Sequence, residues 1–311
     1  MTDATPIGPT LRTADGETLA LTDWPLGTGA PALAPAHPPA TTARGTVLIV
    51  HGLGEHAGRY APLAKWLNAQ GYAVRAYDLY GHGHSSGRRG HLARETQHLE
   101  HLAEVAAATR SAAAARTATG GASPLIVLGH SLGGLIASSA VARGLLMPDG
   151  LVLSSPALAV DMAAWQRAAV GWLPRIAPDL TLGNGLQPKY LSHDPAVVAA
   201  YETDPLVHDR ICARLGAFVA SEGGRVVAAA ARWPVRTLLL YAGDDRLVAP
   251  RGSDAFAAAA IGGPAGDLAG SSGGRTAVTA RRFAALYHEI FNERDSAPVL
   301  KALADWLDAK G

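Results

Sequence analysis

One cysteine, three methionines and four phenylalanines stand among 311 residues, and charge of neither sign accumulates. The lone thiol, Cys212, excludes an internal disulfide framework and a cysteine-rich metal site, and reads as a small apolar filler. Charged residues are only 17% of the chain and the net charge of +1 is spread without long runs. That excludes the electrostatic footprint of nucleic-acid binding and a polybasic membrane anchor. No apolar run reaches the length of an integral membrane segment, and residues 1–10 carry neither the basic region nor the apolar core of a secretory signal. The expectation is a cytoplasmic protein whose partner is a small molecule.

What the chain has in quantity is apolar residues, at 48%, and 35 glycines. The organising stretch is 125–134, Leu-Ile-Val-Leu-Gly-His-Ser-Leu-Gly-Gly, an apolar strand run, a Gly-x-Ser-x-Gly turn and a helix-forming run. A strand-to-helix turn of this kind strains its serine and exposes the hydroxyl at the top of a sheet, and glycines on either side let neighbouring backbone pass close. The pattern alone is weak: composition gives roughly 0.2 chance matches, yet three occur, around Ser85, Ser131 and Ser272. Ser85 is followed by Arg88-Arg89-Gly90, which opens no helix, and Ser272 has neither strand nor helix beside it. Only Ser131 has both flanks, so it is the candidate nucleophile and the other two read as turns.

Around this stretch the chain alternates strand and helix, which implies a largely parallel sheet and an α/β fold. Residues 10–24 read as a hairpin, 27–44 as a proline-rich surface loop, 46–50 and 72–77 as strands around a helix at 60–69, and 99–118 as an alanine-rich helix. Strands at 151–154, 236–241 and 276–283 and helices at 253–260 and 297–307 complete the pattern, with a glycine-rich loop at 262–274. The histidine-rich loop 78–91 reads as packing beneath the serine turn rather than holding a metal. Between 158 and 233 strand signals vanish and apolar residues recur at helical spacing. The expected organisation is therefore a core of 1–157 and 234–311 with a helical cap at 158–233; ordinary helices on the sheet flank are the alternative. In that region His193-Asp194 and His208-Asp209 stand beside turn chemistry and read as solvated turns, not metal ligands.

A serine needs an imidazole to take its proton, and the imidazole needs a carboxylate to fix its tautomer. In chain order an acid, Asp244 or Asp245, follows a later strand, and His288 follows the last one, the Ser, Asp, His order of α/β-hydrolases. Glycines 52 and 54 just beyond the strand 46–50 free the backbone to aim N–H groups at an oxyanion. Glu55, His56 and Arg59, next to that turn in sequence, are candidates to hold the alcohol part of a substrate. Leu158, Met162, Trp165, Trp172, Leu173 and Ile176 repeat at helical spacing, and Met162, Trp165 and Trp172 are candidates for the wall of an acyl tunnel.

The runs His51-Gly52-Leu53-Gly54-Glu55-His56-Ala57-Gly58-Arg59-Tyr60, Gly81-His82-Gly83-His84-Ser85, Gly129-His130-Ser131-Leu132-Gly133-Gly134, Ser154-Ser155-Pro156-Ala157-Leu158 and Asp245-Arg246-Leu247 resemble the monoacylglycerol lipases, a branch often labelled lysophospholipases in bacteria. The resemblance runs from about Gly45 to the end, and Thr203-Asp204-Pro205-Leu206 extends it into the cap. It departs at the loops 27–44 and 262–274 and in having leucine at both oxyanion positions. It implies an α/β-hydrolase fold with a mostly parallel central sheet, helices on both faces and a helical cap. It also implies ester hydrolysis through an acyl-enzyme on Ser131, with His288 as base and Asp245 as the acid. Backbone N–H groups of Leu53 and Leu132 would hold the oxyanion, with no cofactor and no metal. The implied partner is a lipid ester of monoacylglycerol type, met through transient membrane or micelle contact of the cap. A short-chain carboxylesterase or thioesterase is the alternative among enzymes. A ligand-binding protein on a retired hydrolase fold is the alternative outside them, against which an intact Ser, Asp and His set weighs.

Overall fold

The computed structural model describes residues 8–26, 43–116, 123–262 and 278–309. Ser272, the glycine-rich loop after position 262 and most of the proline-rich stretch lie outside the described residues. Among the described residues there are ten strands: β1 (Thr10–Arg12), β2 (Thr18–Trp24), β3 (Gly45–Val50), β4 (Tyr72–Tyr77), β5 (Leu125–His130), β6 (Gly150–Ser154), β7 (Thr181–Gly183), β8 (Arg210–Cys212), β9 (Thr237–Ala242) and β10 (Val278–Phe283). Eight form one sheet in the order β1-β2-β4-β3-β5-β6-β9-β10. The hairpin of β1 and β2 is antiparallel to its neighbours, and every pairing from β4 through β10 is parallel. Right-handed crossovers require a helix between parallel strands. The crossover helices are α1 (Ala61–Ala69), α2 (Gln97–Arg116) and α3 (Leu132–Ala142), then, after an insertion, α7 (Pro250–Gly262); α8 (Ala297–Asp308) follows the last strand.

Covering helices on both faces explain why the central strands are apolar throughout rather than alternating. In β3, Leu48 and Val50 enter the core shared with α2 and α3, whereas Val47 and Ile49 enter the one capped by α1 and α8. All four are buried. The order also reverses at β3, whose two neighbours are β4 and β5. In open α/β sheets ligands bind outside the carboxyl ends of strands at such a switch point. Here the residues beyond those ends are Gly52-Leu53 and Ser131.

The insertion between β6 and β9 carries α4 (Ala164–Ile176), α5 (Pro195–Thr203) and α6 (Ala213–Ala229). It is not wholly helical: β7 and β8 pair antiparallel, Thr181 opposite Cys212. Strands of three residues are too short to show a period of two, which is why helical spacing dominated the sequence pattern. The long α6 packs on α3 and α7, and its Leu215, Phe218 and Val226 join the core.

Candidate active site

Ser131 is one of two described non-glycine residues with positive φ, at φ 51° and ψ −118°, on the turn from β5 into α3. The turn is that tight because the surrounding backbone is closer than any side chain permits. A Cβ on Gly133 would stand 2.1 Å from the Val50 carbonyl oxygen, and one on Gly129 2.5 Å from that of Gly133. Strain at a non-glycine residue persists only where neighbours over-determine it, and such residues cluster at reactive sites. Ser131 N–H donates to the Ser154 carbonyl at 3.0 Å, and its own carbonyl accepts from Leu135 and Ala157, each at 3.0 Å. Leu132 opens α3, so its N–H has no partner within the helix and lies at the positive end of the helix dipole.

Facing it is the turn after β3. Gly52 N–H donates to Glu55 Oε1 at 2.6 Å, which folds 52–55 back on itself. Gly54 has φ +79°, and its carbonyl accepts the His208 N–H at 2.9 Å. A Cβ on Gly54 would lie 2.4 Å from the His208 carbonyl oxygen, so only glycine fits beneath the inserted segment. Among the described residues the Leu53 N–H makes no hydrogen bond, and Leu53 and Leu132 line the same cleft as Ser131. Two N–H groups left unpaired beside a hydroxyl form an anion-accepting geometry.

The third element is the loop after β10. His288 donates from Nδ1 to Asp245 Oδ2 at 2.7 Å, which leaves Nε2 free to accept a proton. Asp245 is held in turn by the Leu247 and Val248 N–H groups at 2.9 and 3.0 Å. Asp244, the other candidate acid, points to solvent and pairs with Arg246 at 3.0 Å. Burial disfavours imidazolium at His288, but the Asp245 charge and hydrogen bond outweigh it and raise the pKa above the usual histidine value. Burial pushes the neighbouring His130 the other way, down to about 4. The rings of His130 and His288 are 4.7 Å apart between centroids, so His130 packs against the base as a neutral group.

Ser131, His288, Leu53 and Leu132 open on one cleft, whose apolar wall includes Ala157, Val160, Leu186, Leu191, Val219 and Val248. Such an arrangement can activate a hydroxyl, stabilise a tetrahedral oxyanion and shelter an apolar chain. The serine aminopeptidase S33 family matches this chain over residues 41–295. A monoacylglycerol lipase from Mycolicibacterium smegmatis is 34% identical over 86% of this chain and 90% of its own length. The chain belongs to the serine aminopeptidase S33 family. The solved structure of Paleococcus ferrophilus monoacylglycerol lipase is 32% identical, with a TM-score of 0.73 over 93% of this chain and 98% of that one. An abhydrolase domain-containing protein of Dictyostelium discoideum is 28% identical over 96% of this chain, which spans 28% of that protein's length. This S33 member is a serine ester hydrolase of the α/β-hydrolase fold, similar to the monoacylglycerol lipases.

Several candidate residues of this S33 hydrolase sit elsewhere than their spacing suggests. Trp165 and Trp172 are each 71% exposed and do not line the cleft, nor does Met162. The reason is that α4 packs on α6, with Ala169, Val170, Leu173 and Pro174 as its half-buried residues, and the large rings are left outside. His56 does not line the cleft either: its Nδ1 accepts from Gly58 and its Nε2 donates to Asp204 of the insertion at 2.8 Å. Glu55 and Arg59 do line it, but their charged atoms are taken up by each other and by Glu289. Adjacency to the turn after β3 places them, but their carboxylate oxygens and both Nη atoms are already bonded within the protein. His193 stays exposed at its turn while its Nδ1 bonds Glu293 at 2.8 Å, whereas His208 is not a solvated turn: it turns inward to pack on His82 at 4.7 Å. Glu289, Tyr201 and His130 were missed; only the adjacency of Glu289 to His288 and of His130 to Ser131 could have signalled two of them. Among the described residues no three histidine, cysteine or acidic side chains converge as metal ligands.

Proposed function

We propose that the enzyme hydrolyses monoacylglycerols of medium to long chain, with Ser131 as nucleophile, His288 as general base and then acid, and Asp245 orienting His288. Ser131 Oγ attacks the ester carbonyl as its proton passes to His288 Nε2, and the N–H groups of Leu53 and Leu132 receive the oxyanion. Collapse expels the alcohol, which takes the proton from His288, and water repeats the sequence on the acyl-enzyme. The observation that carries this reading is the cleft itself: the strained serine and the Asp245-bonded histidine line it together with an apolar wall and Tyr201. The residues 158–233 act in this reading as a cap over the carboxyl ends of the strands.

The exposed side of α4 supports a lipid substrate in a second way. Trp165, Trp172 and Ile176 are 71, 71 and 67% exposed, and their spacing of seven and four residues puts them on one stripe of the helix. We read that stripe as the surface through which the cap meets a membrane or micelle; no described helix is long and apolar enough to cross a bilayer. Each methylene sheltered by the cleft adds about 0.8 kcal/mol, so four extra carbons raise kcat/KM by roughly two orders of magnitude until the wall is full. Measuring kcat/KM from acetyl to palmitoyl monoacylglycerols tests this. A rate that falls steadily beyond butyryl assigns the protein to short-chain esters instead.

A further inference from the structure

The interior beside His288 holds two carboxylates on one guanidinium. Arg59 Nη1 bonds Glu55 Oε2 at 2.5 Å and Glu289 Oε1 at 2.7 Å, and its Nη2 bonds Glu289 Oε2 at 3.0 Å. Glu55 and Glu289 are 4 and 5% exposed, and the Tyr201 ring covers the guanidinium at 4.8 Å. The far oxygen of Glu55 accepts Gly52 N–H and Tyr60 O–H, at 2.6 and 2.7 Å. An unbroken chain of bonds therefore runs from the backbone of the turn after β3, through Glu55, Arg59 and Glu289, to the residue that follows His288.

A bridge that only joined two loops would need one acid for one base. Burying a second carboxylate leaves a net negative charge, which is costly unless a positive charge stands near it. Such a charge appears during turnover, on His288. The groups that act on that ring or share its cleft are Asp245 after β9, His130 at the end of β5, Glu55 and Arg59 after β3, Glu289 on its own loop, and Tyr201 of the insertion. His130 is held neutral by burial, and both Glu55 and Glu289 favour imidazolium at His288.

We infer that Arg59 is a positioning residue. Through Glu55 and Glu289 it holds the oxyanion turn and the histidine loop at a fixed separation, and the surplus carboxylate of the network stabilises the imidazolium that forms as Ser131 loses its proton. The inference rests on the proposed roles of Ser131 and His288.

The test compares Arg59→Lys, Glu289→Gln, Ser131→Ala and a control, Arg143→Lys, on p-nitrophenyl butyrate. Arg143 grips a buried acid in the same two-pronged way, Glu222 at 2.8 and 2.7 Å, away from the cleft. Lysine keeps the charge at position 59 but cannot span both acids. Arg59→Lys and Glu289→Gln lower kcat about 10- to 100-fold, the loss that follows misplacement of oxyanion donors, with KM within about threefold. Glu289→Gln also moves the acidic limb of kcat/KM to lower pH, because the imidazolium loses a stabilising charge, while Arg59→Lys leaves that limb in place. Arg143→Lys lowers the melting temperature and leaves kcat within about twofold. Folded Arg59→Lys and Glu289→Gln with wild-type kcat, or an unmoved limb in Glu289→Gln, overturn the inference. If Arg59→Lys does not fold, the isosteric Glu289→Gln decides alone. Wild-type turnover in Ser131→Ala overturns instead the reading beneath it, and labelling of Ser131 by a fluorophosphonate separates the two failures.

Discussion

Ser85 and Ser131 share one five-residue pattern and have opposite surroundings. Ser85 donates to the Asp78 carbonyl at 2.5 Å and accepts from the Ala20 N–H at 2.9 Å, so its hydroxyl pins the histidine-rich loop to β2. Ser85→Ala leaves two buried backbone groups unpaired and costs about 1–3 kcal/mol, read as a lower denaturation midpoint with unchanged kcat. Ser131→Ala lowers kcat by roughly 10^6 with little change in that midpoint. The two adjacent acids divide in the same manner. Asp245 is fixed by His288 and two backbone N–H groups, whereas Asp244 faces solvent. Asp245→Asn leaves the imidazole in the wrong tautomer and lowers kcat about 10^4-fold; Asp244→Asn changes it less than about threefold. Reversal of that order in steady-state kinetics would reassign the acid.

At the scale of elements, the parts legible in the sequence were those with many residues in one environment. β3, β5, β6 and β9 are buried along their whole length, and a continuous apolar run between turn residues announces that. The serine and the acid were legible for the same reason, since they follow the buried strands β5 and β9, whereas His288 follows the half-exposed β10 and was placed by its order in the chain. What stayed hidden depended on which face of a helix meets what. In α4 the apolar spacing was visible, but a period of 3.6 does not say whether tryptophan or its neighbours turn inward; Ala169, Val170, Leu173 and Pro174 are the half-buried residues and both tryptophans stay outside. Likewise nothing in Glu55, His56 and Arg59 as a string shows that their polar atoms are already bonded to Gly52, Asp204 and Glu289. The exposed stripe of α4 gives its own prediction. Trp165→Ser with Trp172→Ser lowers turnover of monoacylglycerol in vesicles about tenfold or more, as two interfacial rings are lost, and leaves soluble butyrate esters unaffected. Equal loss on both substrates would show that the rings serve the cleft instead.

For the molecule as a whole, the buried histidines govern behaviour in acid. Burial takes His98 down to about 3, His130 and His208 to about 4, and His82 well below its usual range. Each is neutral in the folded state and protonates near 6.5 when unfolded, so the unfolded chain binds more protons below that pH. The stability these groups permit is complete above about pH 6.5 and is lost as pH falls toward 4, at up to about 1.4 kcal/mol per pH unit for each proton. His98 has neither ring nitrogen bonded, so His98→Leu flattens the fall of melting temperature between pH 7 and 4.5; an unchanged slope would assign acid sensitivity to other groups. The place of the inserted segment in the sheet has a consequence of a different kind. It leaves the sheet after β6 and returns at β9, and these strands are hydrogen-bonded neighbours. Because β6 and β9 run parallel, the segment leaves at the carboxyl end of one and returns at the amino end of the other, so it must cross the sheet, and α6, with Leu215, Phe218 and Val226 in the core, is part of that crossing. The part before α6 meets the loops of the sheet through backbone bonds between His208 and Gly54, Cys212 and Gly90, and Leu191 and Glu289, and through Asp204 against His56. A segment exchanged for it would have to supply a buried crossing helix as well as those contacts, so the inserted residues and the sheet are inherited together rather than traded freely.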